Sequence, residues 1–441
     1  MSVRAILIAL LGTGASAASL VRPYWGLLVL AVLYFFRPEP WGAEETVRPV
    51  SWITTGVLIG WILNRKPGDF LQGAGWLIVL LAMLTISTAV APFTSQQSWN
   101  DLQELSKVFL AVFLLLKLCD TPRRLAGIVV AMLVGTLYFV KVAVFQWAAE
   151  GFSADIRIDA AVGQGGGSNF LAWVFAATLP FLLYKVIKAS GWQRWASLGL
   201  TPLWVMSIVA TGSRGGLLCT GASAFVVLLV TRQKKSVLIL SALALGLWLL
   251  APEGYWGRMS TITANPDEMD ASTLSRYQHV QVGMRIMRDY PLFGTGLATF
   301  SIAKRGYLPE DYVGSADVVA HNTFIQMGSE IGLPYLCVFV MMNAWLVWRL
   351  VRRPRAVFDT DGQEDLEWVR VGVLGALAAT AVEMCKGDVA HMDFFWWLYG
   401  IAFACQRIRT SSVPAEKTDA ARVVTPMRQP LRLLSRSTGE R

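Results

Sequence analysis

The sequence is poor in charged residues and in histidine. Only 16% of its 441 residues are Asp, Glu, Lys or Arg, whereas 54% are hydrophobic, and it contains three histidines. An average soluble domain carries about 25% charged residues, so this composition excludes an ordinary water-soluble chain. It predicts an all-α polytopic membrane protein, because helices satisfy their own backbone hydrogen bonds in lipid.

The chain also lacks paired cysteines. Its five cysteines fall one to each apolar segment, at Cys119, Cys219, Cys337, Cys385 and Cys405. An odd number without paired spacing argues against a disulfide framework and against a cysteine metal site. We therefore expect five buried thiols.

Apolar runs dominate what remains. About thirteen of them meet or approach the length needed to span a bilayer, and the first two, 5–20 and 25–36, are short. If Arg22 and Pro23 break a single traverse, about 12 transmembrane helices result. Basic loops alternate with neutral or acidic ones, which predicts that the basic loops and the C terminus face the cytoplasm.

The net charge of +9 lies mainly in those basic loops and in the tail. It therefore predicts contact with anionic membrane lipid and no nucleic-acid partner. The sequence divides into four regions. They are a transmembrane bundle at 1–251, a large, partly helical outer loop at 252–320, C-terminal transmembrane helices at 321–409, and a basic tail at 410–441. The composition of the tail predicts disorder.

A glycine-rich segment, 211–216, joins two apolar runs on the outer side. Its glycines allow a tight turn whose N–H groups are open to an anion, and Arg214 adds a forked cation. The alternative is a plain helix hairpin with an interfacial arginine.

Residues 270–290 of the outer loop predict an amphipathic helix. The apolar stripe comprises Tyr277, Val280, Met284 and Met287, and the polar stripe comprises Gln278, Gln281, Arg285 and Arg288. Arg276 falls on a third face. An amphipathic helix lying on the membrane surface is the alternative interpretation.

His321 follows the outer loop directly. A helix over 321–350 would be roughly 45 Å long, more than the roughly 30 Å of hydrocarbon, so we expect Pro334 to break it and leave His321 on an outer arm. The positive end of a helix favours a neutral imidazole, which can accept a proton. A purely structural histidine is the alternative. His279 and His391 show no ligand spacing with it, which disfavours zinc.

These motifs together resemble the O-antigen ligase and polymerase superfamily. The resemblance is carried by the segment 211–216, Arg276, the segment 289–296, and the segments 321–324 and 330–334. The beginning of the chain is similar to a branch of O-glycosylation ligases. The resemblance implies a GT-C-like glycosyltransferase of lipopolysaccharide biosynthesis in the bacterial inner membrane, with its active site facing the periplasm.

The resemblance further implies an undecaprenyl-diphosphate-linked glycan as donor and a sugar of lipid A core as acceptor. Two alternative acceptors remain. A polymerase would use another glycan repeat, and an O-oligosaccharyltransferase would use a protein hydroxyl. We favour the ligase, because the outer loop is moderate in size and no large C-terminal outer domain is present to hold a protein.

The family's functional residues map onto Arg214, Arg276 and His321. We expect His321 to be the base and the two arginines to hold the diphosphate in a direct, inverting displacement. Further substrate-binding candidates are Arg288, Lys141, Ser213 and Asn322. Lys141 lies toward the outer end of its apolar segment, where it either snorkels or faces a cavity.

We expect no cofactor and no metal. A metal-dependent scheme is the rival within this class, since Glu44 and Glu45 lie in the first outer loop and Asp359 and Asp361 have the spacing of a nucleotide-sugar metal motif. A lipid-linked glycan transporter is the rival from another class. The two halves of the sequence show no internal repeat, which disfavours transport.

Overall fold

The structure is a computed structural model. It describes residues 3–36, 49–64, 73–150, 158, 166–233, 237–238, 241, 245, 255–256, 259, 271–308, 312, 319–352 and 360–410. Over these ranges the chain is helical and without strands, in agreement with the predicted all-α class. The helices are α1 (Val3–Val21), α2 (Pro23–Phe36), α3 (Pro49–Asn64), α4 (Gly75–Val90), α5 (Gln96–Leu118), α6 (Pro122–Glu150), α7 (Ser168–Lys188), α8 (Gly191–Ala210), α9 (Arg214–Thr231), α10 (Ala271–Asp289), α11 (Phe300–Ala303), α12 (Thr323–Glu330), α13 (Leu333–Val351), α14 (Thr360–Lys386) and α15 (Asp393–Thr410).

Five of these helices are long and apolar enough to cross a membrane. They are Pro122–Ala149, Ser168–Lys188, Arg214–Thr231, Leu333–Val351 and Thr360–Lys386. Shorter apolar helices precede them in the first quarter of the chain. The protein is therefore a multi-pass membrane protein, while the count of about 12 spans and the GT-C-like architecture stay predictions.

The first two helices fold back on each other. Gly26 of α2 lies against Ser19 of α1, a contact that one continuous broken helix would not allow. α1 runs parallel to α3, because Gly12 faces Pro49 and Gly60 faces Ser19. The two short apolar runs are thus two antiparallel legs rather than one broken traverse.

The basic connections gather at one end of the bundle. Arg123 pairs with Asp361 at 3.3 Å, and Arg407 donates to the carbonyl of Cys119 at 3.1 Å. Arg409 donates to the carbonyl of Leu350 at 2.5 Å. Loops that are far apart in the sequence therefore meet at this basic end, as their alternation predicts.

Helices α7 and α15 lie in the interior of the bundle. The spanning window of α7 is wholly buried. The indole N–H of Trp173 donates to Thr380 at 3.1 Å, that of Trp204 to Thr178 at 2.9 Å, and that of Trp396 to the carbonyl of Ala390 at 2.6 Å. Such pairing is needed because an unpaired polar group is costly where water is excluded.

The cysteine prediction is partly wrong. All five thiols are free, as expected, and Cys119, Cys219 and Cys405 are buried. Cys337 and Cys385 are exposed on the protein surface. In a membrane-spanning helix such as α13 a surface position still faces an apolar medium, so apolar sequence alone does not separate the core from the lipid-facing side.

The predicted tail at 410–441, apart from Thr410, and most of 252–270 lie outside the described residues, as do Glu44, Glu45 and Asp359. The four-region division consequently stays a prediction.

Candidate functional site

The glycine-rich turn at 211–216 links α8 to α9 at the end of the bundle opposite the basic loops. Gly212 adopts a φ of 58°, which favours glycine. Ser213 caps α9 by accepting from the N–H of Gly216 at 3.0 Å, and it donates to Asn169 at 2.8 Å. The N–H groups of Gly212 and Ser213 bond to Val209 and Thr211. The prediction that the turn leaves its N–H groups open to an anion is therefore wrong for Gly212, Ser213 and Gly216, whose N–H groups bond to neighbouring residues of the chain.

Two of the glycines in the turn allow close packing. A side chain on Gly215 would collide with Lys386, and one on Gly216 would collide with Ala172 of α7. Lys386 forms an ion pair with Glu383 one helical turn earlier, as its spacing predicts. Arg214 is half-buried beside this pair, at the first position of α9. Its guanidinium thus remains the anion-binding candidate of the turn.

Helix α10 covers Ala271–Asp289, close to the predicted 270–290, but its buried face differs from the expected one. The buried side chains are Gln278, His279, Val282 and Ile286. Tyr277 and Met284, assigned to the apolar stripe, are 59% and 51% exposed. The contact is set by Gly283, where α10 approaches Ile325 of α12. The small residue allows that approach, and Val282 and Ile286 on either side of it pack into a hydrophobic cluster with Phe300.

Residues 293–296 form the predicted tight turn and pack against the end of α12. Gly294 and Gly296 have φ values of 62° and 113°. The N–H of Gly296 donates to the carbonyl of Glu330 at 2.8 Å. The carboxylate of Glu330 accepts from the N–H groups of Ala298 at 3.0 Å and Phe300 at 2.9 Å. Burial raises the pKa of Glu330 to about 8 against the effect of those hydrogen bonds. This glutamate therefore joins the outer loop to the arm that follows His321.

His321 lies directly before the cap of α12. Asn322 accepts from the N–H groups of Phe324 at 3.0 Å and Ile325 at 3.1 Å. His321 itself has a φ of 52°, a left-handed conformation unusual for histidine. Such local strain occurs most often at functional sites, where the surrounding structure enforces it.

The predicted break after this arm is present. α12 ends at Glu330, Gly332 takes a φ of 101°, and α13 begins at Leu333. Pro334 occupies the first turn of α13, where the missing N–H costs nothing. Gly332 makes the bend, and Pro334 starts the helix beyond it.

The bend at Gly332 supports a stability prediction. A side chain there would meet the backbone of Leu292, in a conformation that is essentially reserved for glycine. We expect Gly332→Ala to destabilise the protein by about 1–3 kcal/mol and to lower its unfolding temperature in detergent. Gly221→Ala in α9 is the control, since nothing lies within 4 Å of its added carbon. Equal unfolding temperatures for the two variants would contradict a strained bend.

His321 lies among cations. Its ring centroid is 6.1 Å from that of His279 on α10. Burial lowers the pKa of His321, the charges of Arg276 and Lys304 lower it further, and Asp388 raises it. The imidazole is therefore neutral over a wider pH range than a free histidine, which is the form that can accept a proton.

The C-terminal end of α14 joins the arm to the glycine-rich turn. The side-chain amide of Asn322 donates to the carbonyl of Cys385 at 3.0 Å, and the hydroxyl of Thr323 donates to that of Gly387 at 2.9 Å. The N–H of Val389 donates to Thr323 at 3.1 Å. Because Lys386 also covers Gly215, residues 385–389 contact both predicted parts of the site.

Two other predicted residues are less closely connected. Lys141 is exposed on α6, with its ammonium 5.9 Å from the centre of the Phe145 ring. Arg288 is exposed near the end of α10. The contacts of the described residues do not connect either side chain to His321, so their substrate contacts stay predictions.

Three residues near His321 were missed in the sequence: His279, Lys304 and Asp388. Asp388 accepts a hydrogen bond from His391 at 2.9 Å. Burial acts to lower the pKa of His391, but Asp388, with Glu330 and Asp101, raises it to about 9. The local signal was a Gly-Asp sequence and a histidine three residues later, between two apolar segments on the outer side.

Within the described ranges no group of three Asp, Glu, His or Cys side chains is placed to hold a metal ion. Asp361, one of the two aspartates in the possible metal motif, pairs instead with Arg123 at the basic end.

The molecule is thus a helical membrane protein with histidine and arginine side chains near the end of its bundle that lies opposite the basic loops. Residues 200–358 match the family described as O-antigen ligase (Wzy_C), and this match supports a relation of the chain to the O-antigen ligase superfamily. Members of this family are glycosyltransferase-like ligases and polymerases, which supports an enzyme of that general kind. A comparison with curated proteins gives no match.

Proposed function

We propose that the protein is an O-antigen ligase, which transfers a glycan from undecaprenyl diphosphate to a sugar hydroxyl of lipid A core at the periplasmic face of the bacterial inner membrane. The observation that carries the proposal is the half-buried His321, whose ring lies 6.1 Å from that of His279 and whose pKa is lowered by burial and by the charge of Arg276. A base next to a cation suits the removal of a proton from a hydroxyl close to an anionic leaving group.

In the proposed reaction the acceptor hydroxyl gives its proton to His321 as its oxygen attacks the anomeric carbon. The bond from that carbon to the diphosphate breaks, and the electron pair leaves with undecaprenyl diphosphate. Arg276 and Arg214 hold the growing negative charge through paired hydrogen bonds. One displacement inverts the anomeric centre. Ser213 and Asn322 lie beside these groups in the chain and are the proposed polar contacts to substrate.

The proposed site lies at the end of the bundle opposite the basic loops. Lysine and arginine are retained in the cytoplasm during insertion, which supports a periplasmic position for the glycine-rich turn, the outer arm and residues 385–389. An undecaprenyl diphosphate donor in the outer leaflet would present its diphosphate at that level.

The decisive experiment supplies the purified, detergent-solubilised protein with undecaprenyl diphosphate glycan and one of three acceptors: lipid A core, a second lipid-linked glycan, or a pilin. We expect product on lipid A core. Product on glycan alone or on pilin alone would replace the ligase by a polymerase or a protein O-oligosaccharyltransferase. A transporter would give no product with any acceptor, because no membrane is present to cross.

The reaction is further expected to be independent of metal. In the proposed reaction His321 performs the deprotonation and the arginines stabilise the negative charge. Full activity should therefore persist after exhaustive treatment with a chelator. The measurement is the initial rate before and after chelation. Loss of activity that Mg²⁺ or Mn²⁺ restores would favour the metal-dependent scheme instead.

A further inference from the structure

Lys304 is a completely buried lysine that the proposed reaction does not use. It begins the short 3-10 helix Lys304–Gly306 after α11, outside the membrane-spanning helices, and its side chain is 0% exposed. Its ammonium lies 5.7 Å and 5.9 Å from the ring centres of Phe300 and Tyr312. Lysine is almost never fully buried unless it is paired, so the contacts of this ammonium bear on its role.

The ammonium of Lys304 lies 3.2 Å from Nε2 of His279. A charged lysine can only donate, so Nε2 must accept and His279 must be neutral, with its proton on Nδ1. The hydroxyl of Tyr312 lies 2.7 Å from the same Nε2. Nδ1 is buried without a hydrogen-bond partner among the described residues. When Nε2 of His279 accepts from Lys304, the proton of His279 is on Nδ1, which has no acceptor among the described residues.

Burial, then Lys304 and His321, lower the pKa of His279 to about 4. His279 therefore remains an uncharged ring between the lysine and His321. Among the residues that the structure describes, the groups that face His321 are Arg276 and His279 on α10, Lys304 after α11, and Asp388 after α14.

We propose that Lys304 is a positioning residue for His321: through its contact with His279 it holds a positive charge close to the base and so favours the unprotonated form of His321. The effect on His321 stands on the geometry, and its consequence for catalysis rests on the proposed ligase reaction. Because the charge is buried, water and salt screen it less than they screen a surface charge.

The expected effect has a definite sign. A nearby cation disfavours a second positive charge, so Lys304→Met should raise the pKa of His321. The inactive, protonated form would then persist to higher pH, and the acidic limb of the pH–rate profile should move upward by the same amount. Lys304→Arg keeps the charge and should leave the pKa of His321 and the acidic limb of the pH–rate profile nearly unchanged.

The chain offers a direct measurement because it has three histidines. In protein labelled only at histidine with ¹³C, NMR titration follows each imidazole, and His391→Gln and His321→Gln assign the signals. Lys304→Met is compared with wild type, with Lys304→Arg and with Arg305→Met. Arg305 is the neighbouring cation and is exposed, which makes it the matched control.

The inference is supported if the His321 titration shifts upward in Lys304→Met but not in Lys304→Arg or Arg305→Met. An unchanged or lowered titration overturns it, as does an equal shift in Arg305→Met. If Lys304→Met does not fold, Lys304→Gln takes its place and is judged by the same shift. A wild-type His321 pKa at or above the ordinary value of about 6.5 also overturns the inference.

The pH–rate profile separates this inference from the proposed function. A titration and an acidic limb that move together in Lys304→Met support both. A titration that moves while the acidic limb stays supports the role of Lys304 and contradicts His321 as the base.

Discussion

Replacing His321 with glutamine is expected to lower kcat by about 10²–10⁴-fold, the usual contribution of a general base. Glutamine keeps a polar side chain of similar size but cannot take the proton of the acceptor hydroxyl. The arginines proposed to hold the diphosphate remain, so donor binding should change little. The measurement is the steady-state transfer rate together with the affinity for undecaprenyl diphosphate glycan.

His391→Gln is the comparison variant for this test. His391 is on the same outer end but pairs with Asp388 at 2.9 Å, and its pKa is raised to about 9. It is mostly protonated at neutral pH and cannot serve as the base, so its replacement should cost far less activity. Retention of wild-type kcat in His321→Gln would remove His321 from the proposed mechanism.

The second large effect is expected at Arg276. Removing one preorganised donor to a developing anion typically lowers kcat by about 10²–10³-fold, and we expect a loss of that size for Arg276→Gln. Arg276→Lys keeps the charge but loses the planar fork that matches a phosphate, so it should recover only part of the activity. Transfer rates across the three proteins measure how much of the effect is charge and how much is geometry.

Arg285→Gln provides the control on the same helix. Arg285 is an exposed arginine of α10, and its loss should leave transfer nearly unchanged. Equal losses in Arg276→Gln and Arg285→Gln would point to a general effect of positive charge on the outer surface, and not to a specific contact with the diphosphate.

Much of the fold could be predicted because a backbone in lipid must satisfy its own hydrogen bonds, which restricts it to helices here. The alternation of basic loops predicts the two ends of the bundle, and the contacts of Arg123, Arg407 and Arg409 bring the basic loops together. A helix that is too long for the hydrocarbon predicts a bend near Pro334, and the bend occurs at Gly332. These features depend on length, charge and local backbone preference, which a sequence states directly.

The details of the candidate site depend on tertiary contacts, which a sequence does not state directly. Gln278 and His279 are buried because Gly283 lets α10 approach Ile325, a partner more than forty residues away. The nearness of His279 to His321 follows from that same approach. Spacing along the chain gave no reason to pair the two histidines, and a fully buried Lys304 was likewise invisible to hydropathy.

The contacts of α14 bear on which piece of this chain can be studied in isolation. The family match ends at residue 358, yet Asn322 and Thr323 are held by Cys385 and Gly387, and Gly215 lies under Lys386. Gly216 rests on Ala172, which precedes the matched segment. A fragment cut at the borders of the homologous region would lose the neighbours that hold both the turn and the arm. The unit of sequence similarity is therefore smaller than the unit of function.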